Sequence, residues 1–216
     1  MKHSYAIFGL GTFGSEVAVE LSRAGNTVVA VDVRPEAVEA IKDKVAEAVV
    51  ANVSSPEVIS QLNVKKFDAI IIGLTSHFED TILALTLAKQ EGAGKVIVKA
   101  NSEMQRRILL RLGADEVIQP DLDVAERLSR RLSLTNVLDM IEFKGSCIAD
   151  VKLPESMDGR TIRELALRNA YNIIVMLIKK PGRAIETVWD PDMVLNTGDQ
   201  LTVFGSEKVI LDVFKS

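Results

Sequence analysis

The sequence predicts an α/β protein, with a Rossmann-like doubly wound parallel sheet over residues 1–134 and a small α+β C-terminal domain over 135–216. Three observations predict this. Across the first part, short runs that are apolar throughout alternate with amphipathic stretches, which is the pattern of a parallel sheet covered on both faces. A glycine-rich loop, Gly9-Leu10-Gly11-Thr12-Phe13-Gly14, follows the first such run and opens a helical pattern. Beyond about residue 134 the rhythm changes to apolar/polar alternation, as in half-exposed strands.

Taken in order, Tyr5-Ala6-Ile7-Phe8 is the first strand, and a helix with Val17, Leu21 and Ala24 on one face follows it. Thr27-Val28-Val29-Ala30-Val31 is the second strand. Pro35 opens a second helix at a position where its missing N–H is harmless. Ala48-Val49-Val50, Ala69-Ile70-Ile71-Ile72, Val96-Ile97-Val98 and Glu116-Val117-Ile118 complete a set of six, and a helix near Val124–Leu132 closes the half. In the second half, Val137–Phe143 and Ile148–Val151 alternate as strands. Thr161 and Glu164 form a capping box ahead of a short helix. Ile173–Ile178, a Pro181-Gly182 turn and Gln200–Phe204 follow. No internal repeat and no low-complexity tether is present, so the joint between the halves is a packed or hinged helix.

Composition narrows the function classes. An apolar fraction of 47% and a charged fraction of 26% belong to a soluble globular chain. A net charge of −4 offers no basic face for a phosphate backbone, so no nucleic-acid partner is expected. The single Cys147 forms no intrachain disulfide and suits a reducing cytosol. No apolar run approaches the roughly 18 residues of a membrane span, and no signal-peptide pattern opens the chain. A membrane role would run through a partner.

In the glycine loop, the first glycine permits a tight turn, the second admits a phosphate to the backbone, and the third lets helix and strand touch. Asp32 ends the second strand about 20 residues on, where a carboxylate accepts from both ribose hydroxyls and disfavours a 2′-phosphate. Catalytic groups are scarce. The two histidines are His3, at the terminus, and His77, after the fourth strand; the second half has none, and no metal-ligand spacing occurs. Cys147 reads as a small core residue. A self-sufficient enzyme has little to stand on, and the residues point to a nucleotide-binding chain. The alternatives are an NAD(H)-dependent oxidoreductase with a substrate site at an oligomer interface, or a dinucleotide redox sensor.

The segments Ala6–Gly14, Val31-Asp32, Ala51-Asn52 and Gly113-Ala114-Asp115-Glu116-Val117-Ile118-Gln119-Pro120 resemble the regulator-of-potassium-conductance (RCK) family. From Asn136-Val137-Leu138 onward the chain resembles the family's TrkA-C effector domain, and the whole is similar to the cytosolic subunits of Ktr and Trk potassium uptake. The resemblance implies homodimers assembling into an octameric ring beneath a membrane-embedded potassium transport subunit, from the cytoplasmic side. It implies adenine and ribose contacts from Asp32, Val33, Arg34, Asn52 and Val53, closure by Leu74, Thr75 and Ser76, and sugar and phosphate contacts from Lys99, Ala100, Asn101 and Gln105. Lys99 is the phosphate counter-charge. Relatives carry Arg in place of Thr12, and Glu in place of Asp121, where the carboxylate helps hold Mg²⁺ near the phosphates. With Thr12 and Asp121 the choice among ADP, ATP and NAD(H) stays open. Some relatives bind cyclic di-AMP through a segment like Leu165–Asn169, which places Arg168 and Asn169 at a second effector site. The helix near Val124–Leu132, with Leu128 and Leu132 on one face, is either a pairing surface or a core helix.

Overall fold

The computed structural model describes residues 2–74, 78–133, 136–143 and 145–214. Two compact units divide within one helix, at Leu122/Asp123, ahead of the expected joint at 134/135, whose residues lie outside those described.

The first unit runs β1 (Ser4–Phe8), α1 (Thr12–Arg23), β2 (Thr27–Asp32), α2 (Pro35–Glu39), β3 (Glu47–Val50), α3 (Pro56–Leu62), β4 (Ala69–Ile72), α4 (Phe78–Gln90), β5 (Lys95–Lys99), α5 (Glu103–Arg111) and β6 (Glu116–Ile118), then enters α6 (Pro120–Ser133). Its six strands are all parallel in the order β3-β2-β1-β4-β5-β6. Alternate residues of each strand feed two separate cores. Phe8, Val31, Ile70, Ile72 and Val98 pack with Ala84, Leu85 and Leu109 on one face. Ile7, Val28, Ala30 and Ile71 pack with Ala18, Val19 and Val38 on the other. Burial on both faces is why these strands are apolar without alternation. Asp115 gives the Gly-Ala-Asp motif a structural role: its carboxylate accepts from Lys89 Nζ at 2.5 Å and from the Val96 N–H at 2.6 Å, tying α4 to the start of β5.

The second unit contains β7 (Val137–Phe143), β8 (Ser146–Lys152), α7 (Ile162–Leu165), α8 (Leu167–Tyr171), β9 (Ile174–Lys179), β10 (Ile185–Thr187), β11 (Gln200–Gly205) and α9 (Glu207–Val213). Its antiparallel sheet has the order β10-β9-β11-β8-β7 and one packed face, on which Cys147, Ala149, Val151, Ile178, Leu201 and Val203 pack with Ile210 of α9. Both halves of the expected capping box form, with the Glu164 N–H donating to Thr161 Oγ1 at 3.1 Å and the Thr161 N–H to Glu164 Oε2 at 2.8 Å. The single short helix expected there is two, because Ala166 adopts φ +47° and breaks it. Edge strand β10 and helix α9 carry too few periodic residues to be read from the sequence. Among the described residues, no helix is long and apolar enough to cross a membrane.

One contact fixes the geometry at the head of the first sheet. Gly9 takes φ +92°, and a Cβ on Gly14 would lie 1.9 Å from the Gly9 carbonyl oxygen. We predict that Gly14→Ala lowers unfolding stability by about 3 kcal/mol, because the obstruction is backbone and cannot rotate away. Gly11→Ala, whose Cβ would meet nothing within 4 Å, costs under about 1 kcal/mol. Urea denaturation of both variants decides it; equal losses contradict the packing account.

Candidate functional site

A cleft of about 270 Å³ opens at the C-terminal ends of β1 to β4. There the connections leave β1 in opposite directions along the sheet, which is where ligands of open parallel sheets bind. Gly9 and Gly11 form its floor, Val31 to Arg34 and Ala51 to Ser54 its sides, and Gly73, Leu74 and Asp80 the remaining wall.

Asp32 is its central charge and is only 6% exposed. Oδ2 accepts from the Leu10 N–H at 2.6 Å and from Arg34 Nη2 at 3.1 Å; Oδ1 accepts from the Arg34 N–H at 2.9 Å and from Arg34 Nε at 3.0 Å. A carboxylate has about four acceptor sites, so all are filled. Burial works to raise the Asp32 pKa, but the bonds from the Arg34 side chain and from the Leu10 and Arg34 N–H groups outweigh it and hold the carboxyl below the usual range. Two of these donors belong to the fixed backbone. The other two belong to a side chain, a guanidinium that is half exposed.

The start of α1 is suited to an anion. Gly11 is its N-cap, no side chain caps it, and its first turn holds no acid, so the first amides and the helix dipole are open to a negative group. Lys99 Nζ lies 6.0 Å from the Phe13 ring centroid, on a side chain 10% exposed. Its partner is Asp121, with Oδ2 at 2.9 Å. Thr12 is exposed at the first position of α1.

Of the expected contacts, Gly9, Gly11, Asp32, Val33, Arg34, Asn52, Val53 and Leu74 line the cleft. Leu10 contributes its N–H to Asp32 while its side chain is buried, and Gly14 is buried against Gly9. Ala100 is buried, its N–H donating to the Ile118 carbonyl. Gln105 Oε1 accepts from the Asn101 N–H at 2.8 Å and so shapes the entry to α5; neither residue lines the cleft. Thr75, Ser76 and His77 lie outside the described residues. His3 precedes β1 at the N-terminal end of the sheet, opposite the cleft, its Nδ1 3.6 Å from Asp68. Cys147 is fully buried, and burial pushes its thiol pKa up. Arg168 and Asn169 are exposed on α8. Among the described residues no three His, Cys, Asp or Glu converge as a metal site.

Sequence reasoning missed Ser54 and Asp80. Ser54 sits in a Ser-Ser-Pro run that reads as a helix start, and Asp80 in an acidic first turn that reads as dipole compensation. Nothing in the linear pattern joins them, yet Ser54 Oγ donates to Asp80 Oδ1 at 3.0 Å.

The chain matches the model of the TrkA-N domain over residues 5–120 and that of the TrkA-C domain over 147–216. It belongs to the TrkA-N family. Over 215 residues it is 32% identical to Ktr system potassium uptake protein A of Vibrio alginolyticus, a match covering 98% of this chain and 96% of that one. Over 218 residues it is 26% identical to Ktr system potassium uptake protein C of Bacillus subtilis, covering 98% and 99%. The resemblance to potassium-uptake regulators is thereby borne out. A solved GsuK channel bound to NAD shares the fold with a TM-score of 0.66 at 17% identity, covering 100% of this chain and 40% of that one.

Because the folded pKa of Asp32 lies below the unfolded value of about 3.9, the unfolded chain takes up its proton first as pH falls. The stability it contributes is complete above about pH 5 and is lost as pH falls through the folded pKa. We predict that unfolding free energy declines below about pH 4 and that Asp32→Asn makes the decline shallower. An unchanged acid slope in Asp32→Asn contradicts the depressed pKa.

Proposed function

We propose that this chain is a nucleotide-responsive regulatory subunit of a potassium-uptake system, acting from the cytoplasmic side on a membrane-embedded transport subunit. The observation that carries the reading is the cleft, in which an uncapped helix N-terminus and a buried acid meet at the ends of the parallel strands. Membership of the potassium-uptake family supports the rest.

Ligand entry is an exchange. The ribose hydroxyls take the two Asp32 acceptor positions that Arg34 vacates, while the Leu10 and Arg34 N–H bonds stay. The phosphates meet the first turn of α1, and Lys99 trades Asp121 for phosphate oxygen. A divalent cation arriving with the phosphates would find a single carboxylate, Asp121, once Lys99 has released it. With a hydroxyl at Thr12 and one lysine nearby, a γ-phosphate gains little over a β-phosphate, so ADP and ATP bind with similar affinity, or NAD(H) is preferred. Nucleotides that favour different conformations then shift the open–closed population. A coupling of about 1–3 kcal/mol changes transporter activity by about 5- to 150-fold.

Assembly supplies the second body that such coupling needs. Val124, Leu128 and Leu132 recur every fourth residue of α6 and are exposed on the single chain, with Leu132 at 76%. This supports pairing of chains through α6, as dimers and then an octameric ring. Light scattering should show a species larger than 23.6 kDa; the monomer alone at working concentration overturns the assembly.

Calorimetric titration with ADP, ATP, NAD⁺ and NADH tests the site. Asp32→Ala should weaken binding about tenfold or more, the loss of a charge-assisted contact of roughly 1.5–3 kcal/mol. Arg34→Ala should tighten it by a few fold for ribonucleotides and leave a 2′,3′-dideoxy analogue unaffected, since an exposed ion pair is worth about 1 kcal/mol or less. Gly11→Ala should abolish binding in a folded protein. Binding indifferent to Asp32 and Gly11, or turnover of NADH with a substrate, overturns the regulatory reading.

A further inference from the structure

The cleft holds a second carboxylate that ribose and phosphate recognition does not use. Asp80 stands in the first turn of α4, on the wall shared with Leu74 and Ser54. Ser54 Oγ donates to its Oδ1 at 3.0 Å, and the Ser54 N–H is itself held by Asn52 Oδ1 at 2.9 Å. The loop after β3 therefore fixes the carboxylate through a chain of two hydrogen bonds. No described residue donates to Oδ2, and no described cation pairs with Asp80. The cleft's own guanidinium, Arg34, pairs with Asp32 in this structure. A fixed acceptor in a ligand cleft leaves a donor to be supplied by the ligand.

The donor's place follows from the other two anchors. With the phosphates at α1 and the ribose at Asp32, the base extends past the ends of β2 and β3, toward Val53, Ser54 and Asp80. An ionised carboxylate only accepts. A 6-aminopurine presents an N–H donor at C6, whereas a 6-oxopurine presents an acceptor there. We propose that Asp80, positioned by Ser54, is the specificity-determining residue for the base: it accepts from the 6-amino group of adenine and repels the carbonyl of a 6-oxopurine. The inference rests on the nucleotide reading above and adds to it the residue that selects the base. It applies equally to ADP, ATP and NAD(H), which share that base.

The test is calorimetric titration of the full chain with ADP, IDP and GDP. The wild type should bind ADP about tenfold to a hundredfold more tightly than IDP, the span of one charge-assisted hydrogen bond. Asp80→Ala should bring the two within about threefold of each other, chiefly by weakening ADP. Asp80→Asn, nearly isosteric and able to donate as well as accept, should do the same and carries the test should the alanine variant fold poorly. Ser54→Ala should narrow the ratio part-way. A purely structural role would weaken both nucleotides equally and leave the ratio in place. An ADP/IDP ratio indifferent to Asp80, or GDP bound more tightly than ADP, overturns this inference while leaving the nucleotide reading standing. Binding of none of the three overturns both.

Discussion

The approach of Gly14 to the Gly9 carbonyl determines much of what the first unit can do. A helix that packs this closely on its strand places its first amides directly at the strand end, and only a residue without a Cβ allows it. The same contact sets the path of the loop between them, and so the direction of the Leu10 N–H, which ends 2.6 Å from Asp32. The uncapped start of α1 and the buried Asp32 are thus joined by a few backbone atoms. Their spacing is a property of the main chain and not of flexible side chains, which is why a dinucleotide or a nucleoside polyphosphate can be measured against it.

Asp32 has two kinds of partner. Its backbone donors serve the fold, holding the end of β2 against the glycine loop. Its guanidinium partner is half exposed. With about four acceptor sites filled, the buried acid is satisfied as it stands. Lys99 and Asp121 show a similar asymmetry, a lysine 10% exposed paired with an acid 81% exposed. In the nucleotide complex proposed above, binding is a change of partners at both pairs, the sort of local exchange that can bias a two-state assembly.

The second unit is organised differently. Its sheet buries one face, so its strands alternate, and its helices are short. The Ala166 break places Arg168 and Asn169 at the start of a new helix, α8, not within a continuous one.

The sequence by itself determined the fold and the backbone half of the site. Parallel strands buried on both faces must be apolar throughout, glycines that permit close approach cannot be replaced, and an acid closing the second strand has a fixed distance from the loop. Each is a local constraint written in neighbouring residues, and Gly9, Gly11, Gly14 and Asp32 were legible for that reason. The partners of those residues were decided only by the tertiary structure. That Arg34 fills the outer acceptor positions of Asp32, that Asp121 holds Lys99, and that Ser54 meets Asp80 across a separation of 26 residues depends on which strand ends the order β3-β2-β1-β4 brings side by side. Side-chain charges carry no mark of their partners in the linear chain, because a carboxylate accepts from whatever donor the folded backbone delivers to it.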